Sequence, residues 1–411
     1  MKNERPLSVG DTLDESETYR DPLTGRAVRR LTSVGRINQT PTYHTNSGFT
    51  SDGRHLVLIS VREGATWVMA AEVATGNLTA LWRAPGVGDR NYLHRGMCLT
   101  FPDVNGRGIC GNRVCMAPKS GLAVFAVERS LMAVDIRTCR VRCLLEDCGE
   151  EHIFGAPCIS PDEQWVGIAL SSSHPEMRGD DWWSRPPRKH YLEYMHTLQL
   201  VRVPLDGSGR LETMYRHPAP AQAAHCAFCP TDGNLLYFDL DLPPKYWRGS
   251  DGRTPRIWLL DIARGTVRPL KSRYPGPCQV HQAWLWDGSA ICYHGGAVGG
   301  GEYFGVAGIS GETIWEQVFP DATFYGHNTP DPLMPALIID GQFSRDKLQW
   351  LHYDPAGAAP ARLEPICIHG TEWGSLPGQY SHPHPLTDRS GTWIAFTAAR
   401  NGRSDVYVVR R

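Results

Sequence analysis

Phe49-Thr-Ser-Asp52-Gly-Arg-His-Leu-Val-Leu-Ile-Ser60 is the stretch that decides the fold. An Asp-Gly pair marks a tight turn, and the apolar run behind it has the length and composition of a buried strand. A second strand, Thr66–Val73, follows and stops at Thr75-Gly76. The unit returns along the chain. Cys158-Ile-Ser-Pro-Asp162, Phe228-Cys-Pro-Thr-Asp232, Trp284-Leu-Trp-Asp287 and Pro385-Leu-Thr-Asp388 each lead into an apolar strand, and a second strand follows. A weaker copy begins at Lys119-Ser-Gly121, and a further copy runs over Pro335–Gly341, closing on Asp340-Gly341. From Asp52 to Asp388 the seven copies span 336 residues, six intervals of 56 on average. Four short strands at that period form one blade of a β-propeller, and seven blades must pack radially to bury both faces of each. The expected fold is all-β, a seven-bladed β-propeller occupying residues 1–411 as one domain. A pair of β-sandwiches is the competing arrangement. Closure of the ring is expected to pair a strand near Ala27–Thr32 with the seventh blade, which protects edges that would otherwise stay open.

Composition narrows the function. With 42 Lys+Arg against 43 Asp+Glu, the net charge of −1 lacks the basic surplus a nucleic-acid surface needs. The longest apolar runs, such as Leu122–Val127 and Ala336–Ile339, are strand-sized and too short for a membrane helix. No apolar segment follows Met1-Lys-Asn-Glu-Arg-Pro6 as in a secretory signal, so a cytoplasmic location is expected. The twelve cysteines are irregularly spaced and are read as reduced thiols; Cys226-Ala-Phe-Cys229 lacks the second pair that a zinc site would need. One insertion stands out at about 171–196, within the third blade. It carries Trp182, Trp183, Arg185 and Arg188 and is too polar and too Pro-broken for core. These residues suit an acidic sugar over the rim; a plain solvated loop or an oligomer contact is an equal alternative.

The chemistry-bearing residues gather just before the turns, on what a propeller makes its innermost strands. Ala224-His225, Val280-His281-Gln-Ala-Trp284 and Tyr325-Gly-His327 hold matching places in blades four, five and six. Blade seven supplies Gln379-Tyr-Ser-His382-Pro-His384, whose two histidines, two apart on an extended strand, are expected to face one point. Pro383 and Pro385 agree with an edge strand. Three imidazoles and an amide oxygen form a neutral donor set suited to Mn²⁺, Fe²⁺ or Zn²⁺ with open positions.

Arg256-Ile-Trp-Leu-Leu260, Val280-His281-Gln-Ala-Trp284, Gly326-His327 and Gln379-x-x-His382-x-His384 together resemble the oligogalacturonate lyases, seven-bladed propellers of pectin degradation. The likeness runs from Arg30-Leu-Thr-Ser-Val-Gly35 to Ser381-His-Pro-His-Pro385. It implies that His327, Gln379, His382 and His384 hold a divalent metal, in that family Mn²⁺. It also implies that His281 is the base and Arg256 an active-site arginine. His225 is assigned to the substrate, an acidic oligosaccharide, with His225 or a tyrosine as alternative bases. The Trp-rich insertion, the Cys-rich second blade and the altered turns at Trp286-Asp-Gly and Thr387-Asp-Arg mark a divergent member. The rival function is a non-catalytic propeller that binds a partner on its face. A hydrolase is disfavoured because no G-x-S-x-G elbow occurs. No nucleic acid or membrane partner is expected, and the oligomeric state is left open.

Overall fold

A computed structural model describes residues 6–41, 48–63, 65–83, 114–127, 130–148, 152–171, 197–219, 221, 223, 225–241, 255–277, 279–376 and 379–411. Seven antiparallel sheets form a ring, five of four strands and two of five, with no helix among the described residues. This is the expected seven-bladed propeller. The innermost strands are Ile37–Gln39, Val114–Ala117, His152–Ile159, Cys226–Phe228, Val280–Trp284, Asn328–Pro330 and Leu386–Thr387, in blades one to seven. Both apolar runs singled out for length are strands, Leu122–Val127 and Ala336–Ile339.

The turn residues act through one contact. The Asp52 carboxylate accepts the backbone N–H of Arg54 at 3.0 Å and the Thr50 hydroxyl at 2.6 Å, while Gly53 takes a positive φ of 68°. Asp162, Asp232, Asp287 and Asp388 each accept the N–H two residues on, at 2.8–3.2 Å. A side chain that mimics a backbone turn in this way folds each inner strand back onto its neighbour. In blade six that carboxylate belongs to Asp331, which accepts from Leu333 N–H at 2.9 Å. Asp340-Gly341, which closes the quoted sixth copy, lies instead at the far end of the second strand and has a different task.

The chain closes its own ring. Ala27–Arg30 pairs with the C-terminal strand Arg403–Arg410, placing Val28 opposite Val409 and Arg30 opposite Tyr407. Glu17–Arg20 extends that sheet, and Thr12–Asp14 caps the outer strand of blade one. Leu386, Ala395, Val406 and Val408 of blade seven pack against Leu56, Leu58, Trp67 and Met69 of blade one, all nearly or fully buried. The seam is therefore held by apolar contact as well as by pairing.

Because every inner strand begins its blade, all seven run the same way. The turns lie at one mouth of the ring and the site histidines at the other. A cavity of about 490 Å³ opens at the turn mouth, lined by Phe49, Met116, Phe228, Trp284 and Trp286, and it contains none of the histidines.

Candidate active site

His225, His281 and His327 stand at the starts of three successive inner strands. His327 is fully buried and forms the centre of the cluster. Its ring lies 4.3 Å from His281, 4.1 Å from His384 and 5.4 Å from His382, centroid to centroid. His382 and His384 do converge, but the strand expected to carry them is absent. Blade seven's inner strand is only Leu386–Thr387, and both histidines precede it in a loop interrupted by Pro383 and Pro385. Neither proline offers an N–H to a ladder. The loop brings His384 round with a left-handed φ of 46°, and His281 is similar at 53°. A non-glycine residue in that region is strained by roughly 1–3 kcal/mol, and such strain collects at functional sites. At His281 its origin is a β-bulge: the pairing of Val280 with His294 and of Ala283 with Cys292 leaves two residues against one. Bulges re-aim side chains, and this one turns His281 toward His327.

Each inner histidine has a partner behind it on the second strand of its blade. Asp340 accepts from His327 twice, at backbone N (2.5 Å) and at Nδ1 (3.0 Å), and accepts His384 N–H at 3.0 Å. Gly326 permits this approach, since a Cβ there would stand 2.9 Å from the Asp340 carboxylate. Asp239 repeats the arrangement in blade four, accepting from His225 N at 2.7 Å and Nδ1 at 2.8 Å. An ionised carboxylate only accepts, so Nδ1 of both histidines carries a proton, and at His327, whose burial keeps it neutral, Nε2 holds the lone pair. In blade five the partner is His294, whose Nε2 is 2.7 Å from His281 Nδ1. Tyr325, half-exposed, sets its hydroxyl between His281 Nε2 (3.2 Å) and His327 Nε2 (3.3 Å).

These atoms fit a divalent cation. One ligand atom from each of His327, His382 and His384 lies within 4.8 Å of the others. His382 Nδ1 is buried with no hydrogen-bond partner, an unmet donor–acceptor site of the kind a metal satisfies. His384 Nε2 stands 2.7 Å from Gln379 Oε1. That is near the separation of about 3 Å expected for neighbouring ligands on one ion with bonds of about 2.0–2.2 Å. Burial pushes His382 down to about 4 and His327 well below its ordinary value, so both imidazoles are neutral and ready to coordinate near pH 7. Burial also pushes Asp340 up to about 6, against the hydrogen bonds from His327 and His384, and a cation beside it would favour the anion.

Arg256 is engaged elsewhere in the site wall. Its guanidinium binds Asp239 at 2.6 Å and Asp241 at 2.7 Å and donates to the Gln279 carbonyl at 3.1 Å. Asp239 thus joins His225 to Arg256. The two carboxylates offset the guanidinium charge, which weakens the like-charge effect on a neighbouring imidazole that an unpaired arginine would exert. His369, buried and pushed down to about 4 by desolvation, donates from Nε2 to the Asp340 carbonyl and accepts Thr371 N–H, as a satisfied core histidine does. Trp182, Trp183, Arg185 and Arg188 lie outside the described residues. Cys226 and Cys229 are free, buried thiols, as are Cys158 and Cys292. Tyr325, Asp340, Asp239 and His294 escaped the reading of the sequence. A signal for the aspartates existed, because continuing the pairing of Cys226 with Phe238 and of Asn328 with Ile339 by one residue sets each directly opposite its histidine.

The comparisons bear on this geometry. No family model matches the chain. The oligogalacturonate lyase of Dickeya dadantii (strain 3937) is 23% identical over 96% of this chain and 95% of its own. The oligogalacturonide lyase of Pectobacterium atrosepticum is 23% identical with the same coverage. This chain is a divergent relative of the oligogalacturonate lyases. The resemblance read from the sequence is borne out, and it extends through the whole ring. An oligogalacturonate lyase solved in complex with manganese superposes with a TM-score of 0.75 at 19% identity, covering 98% of both chains, and so has the same fold.

Proposed function

We propose that this chain is a metal-dependent polysaccharide lyase. It cleaves oligogalacturonate, or a related oligouronide, by β-elimination and releases an unsaturated uronate. The observation that carries the reading is the cluster of His327, His382, His384 and Gln379 with His281 against it, in a chain that aligns end to end with lyases of that substrate. A non-catalytic scaffold has no use for three convergent imidazoles or for two strained histidines in one mouth.

His327, Gln379, His382 and His384 are the proposed ligands, and Mn²⁺ is the proposed ion, supported by the manganese complex of the structural neighbour. Bound there, a divalent cation neutralises a substrate carboxylate and makes the adjacent carbon acid easier to deprotonate. His281 then takes the C5 proton. The electron pair of that C–H bond becomes the C4=C5 double bond, and the C4–O bond breaks with its pair on the departing oxygen. A histidine is suited to the task near neutral pH. Arg256, held by Asp239 and Asp241, and His225 are the proposed contacts to substrate oxygens. Trp182, Trp183, Arg185 and Arg188 are proposed to hold the remoter sugars. A cytoplasmic setting accords with nine free cysteines among the described residues. The test is incubation with oligogalacturonate and Mn²⁺, following the ultraviolet absorbance of the conjugated product. Absence of that absorbance with the metal bound would overturn the reading.

A further inference from the structure

Blade five departs from its neighbours at one register position. Asp239 in blade four and Asp340 in blade six each place a carboxylate on Nδ1 of the inner-strand histidine. The equivalent residue in blade five is His294, and the carboxylate has moved one group outward. Glu302 Oε2 stands 3.2 Å from His294 Nδ1, and His294 Nε2 stands 2.7 Å from His281 Nδ1. The chain Glu302–His294–His281 therefore runs from the rim of the blade to the site. His294 is nearly fully buried and Phe304 stacks on its ring at 5.3 Å and 26°, so the imidazole has little freedom to turn.

With both imidazoles neutral, the donors and acceptors along this chain have one consistent assignment. The Glu302 carboxylate can only accept, so His294 Nδ1 donates to it. A neutral His294 then has a lone pair at Nε2. The 2.7 Å contact requires a proton between the two rings, and His281 Nδ1 must supply it. His281 is left with its lone pair on Nε2, the nitrogen 3.2 Å from the Tyr325 hydroxyl, which also meets His327 Nε2. The opposite assignment would aim the His294 Nδ1 lone pair at a carboxylate.

We infer that Glu302 and His294 are positioning residues that hold His281 in the Nδ1–H tautomer and so make its Nε2 the atom that accepts the substrate proton. This rests on the lyase reading for the identity of the proton, while the tautomer follows from the hydrogen-bond geometry of two neutral rings. The logic parallels an acid that orients a catalytic imidazole without itself taking the proton, here with a second imidazole interposed. Interposing it keeps the full negative charge away from the base. His281 is thereby oriented without the direct anionic contact that Asp340 gives His327.

The test uses the full chain in two arms. In the first, ¹⁵N-histidine-labelled protein is studied by long-range ¹H–¹⁵N correlation, with chelator and again with diamagnetic Zn²⁺. Wild type should show His281 protonated at Nδ1 and bare at Nε2. His294→Phe should shift His281 to a tautomer mixture, and His294→Gln, whose amide oxygen reaches the place of Nε2, should restore the single form. In the second arm, Mn²⁺-loaded His294→Phe should lose roughly 10- to 100-fold in kcat, the usual range for an outer-shell partner. KM should stay within about twofold, and His294→Gln should recover most of the loss. A wild-type His281 protonated at Nε2 would overturn the inference, as would a His294→Phe enzyme with unchanged kcat. If wild type shows the tautomer but no lyase activity, the lyase reading fails and the tautomer assignment survives.

Discussion

Asp340 offers the most direct test of whether the histidine cluster is a metal site. Its carboxylate accepts three N–H groups, His327 N at 2.5 Å, His327 Nδ1 at 3.0 Å and His384 N at 3.0 Å, and it is fully buried. Asp340→Asn preserves shape but turns one oxygen into an NH₂ donor. If the amide oxygen faces His327 Nδ1, the buried His327 N–H loses its acceptor. If the oxygen faces His327 N, then His384 N–H loses its acceptor and His327 must move its proton to Nε2, the proposed ligand atom. Either orientation leaves a buried N–H unpaired, a loss of about 1–3 kcal/mol. The asparagine also escapes a penalty. Burial raises Asp340 to about 6, and holding it ionised at pH 7 to 8 opposes folding by an amount of the same order. Thermal stability of the metal-free variant should therefore stay within a few degrees of wild type. Metal binding has no such compensation, because the ligand behind which the charge stood is now misoriented or unsupported. Mn²⁺ affinity should fall about 10- to 100-fold, or about 1.4–2.7 kcal/mol. Titration calorimetry, or the electron paramagnetic resonance of unbound Mn²⁺, measures this directly. A natively folded Asp340→Asn protein that binds Mn²⁺ as tightly as wild type would refute the idea that Asp340 supports a ligand.

Three further outcomes follow from the same geometry. His382→Ala should abolish Mn²⁺ binding while leaving the far-ultraviolet circular dichroism intact, since the loop before Leu386 contributes no ladder; retained stoichiometric metal would remove His382 from the ligand set. His281→Ala should keep metal and substrate binding but lose about 10²–10⁴ in kcat, and near-wild-type turnover would transfer the base role to another group. With chelator present, the fold should weaken as pH falls from about 6.5 toward 4. Burial lowers His369 and His382 to about 4 and His327 further, so the unfolded chain binds protons that the folded one refuses, while Asp340, raised to about 6, opposes by one. A net difference of roughly two protons near pH 5 corresponds to about 2–3 kcal/mol per pH unit. A denaturation midpoint flat between pH 7 and 5 would contradict it.

The ring was legible because its turns are local chemistry. An Asp that binds the N–H two residues on needs only itself and its neighbours, so Asp52, Asp162, Asp232, Asp287 and Asp388 read as turns wherever the chain carries them. The same reasoning misplaced Asp340. Followed by Gly341, it looks like another turn, yet its oxygens serve His327 and His384, and only register within the folded blade reveals that. The histidines were legible as a set because they share a position before each inner strand. Their aim was not. A β-bulge at His281 and a left-handed residue at His384 depend on pairing and on two prolines, and alternation along a strand cannot express either. Arg256 was legible as a residue near the site, but its engagement by Asp239 and Asp241 needed the second strand of blade four in place.

One register position carries the logic of the site across three blades. In blades four and six an aspartate there fixes a histidine through its backbone N–H and Nδ1 together, so both ring and chain are anchored. That suits residues that must not move, a proposed metal ligand in blade six and a proposed substrate contact in blade four. In blade five the bulge shifts the pairing, and the partner meets the His281 ring with an imidazole nitrogen instead of a carboxylate. A base must change charge during the reaction, and an imidazole partner lets it do so without the fixed carboxylate that would hold it as an imidazolium. If this division holds, exchanging the partners should exchange the behaviours. His294→Asp should strengthen proton binding at His281 and move the acid limb of the kcat/KM profile to higher pH. Asp340→His should leave His327 ringed by neutral groups and weaken its grip on the metal. A His294→Asp profile identical with wild type, in an enzyme that retains its metal, would show that the interposed imidazole has no bearing on the base.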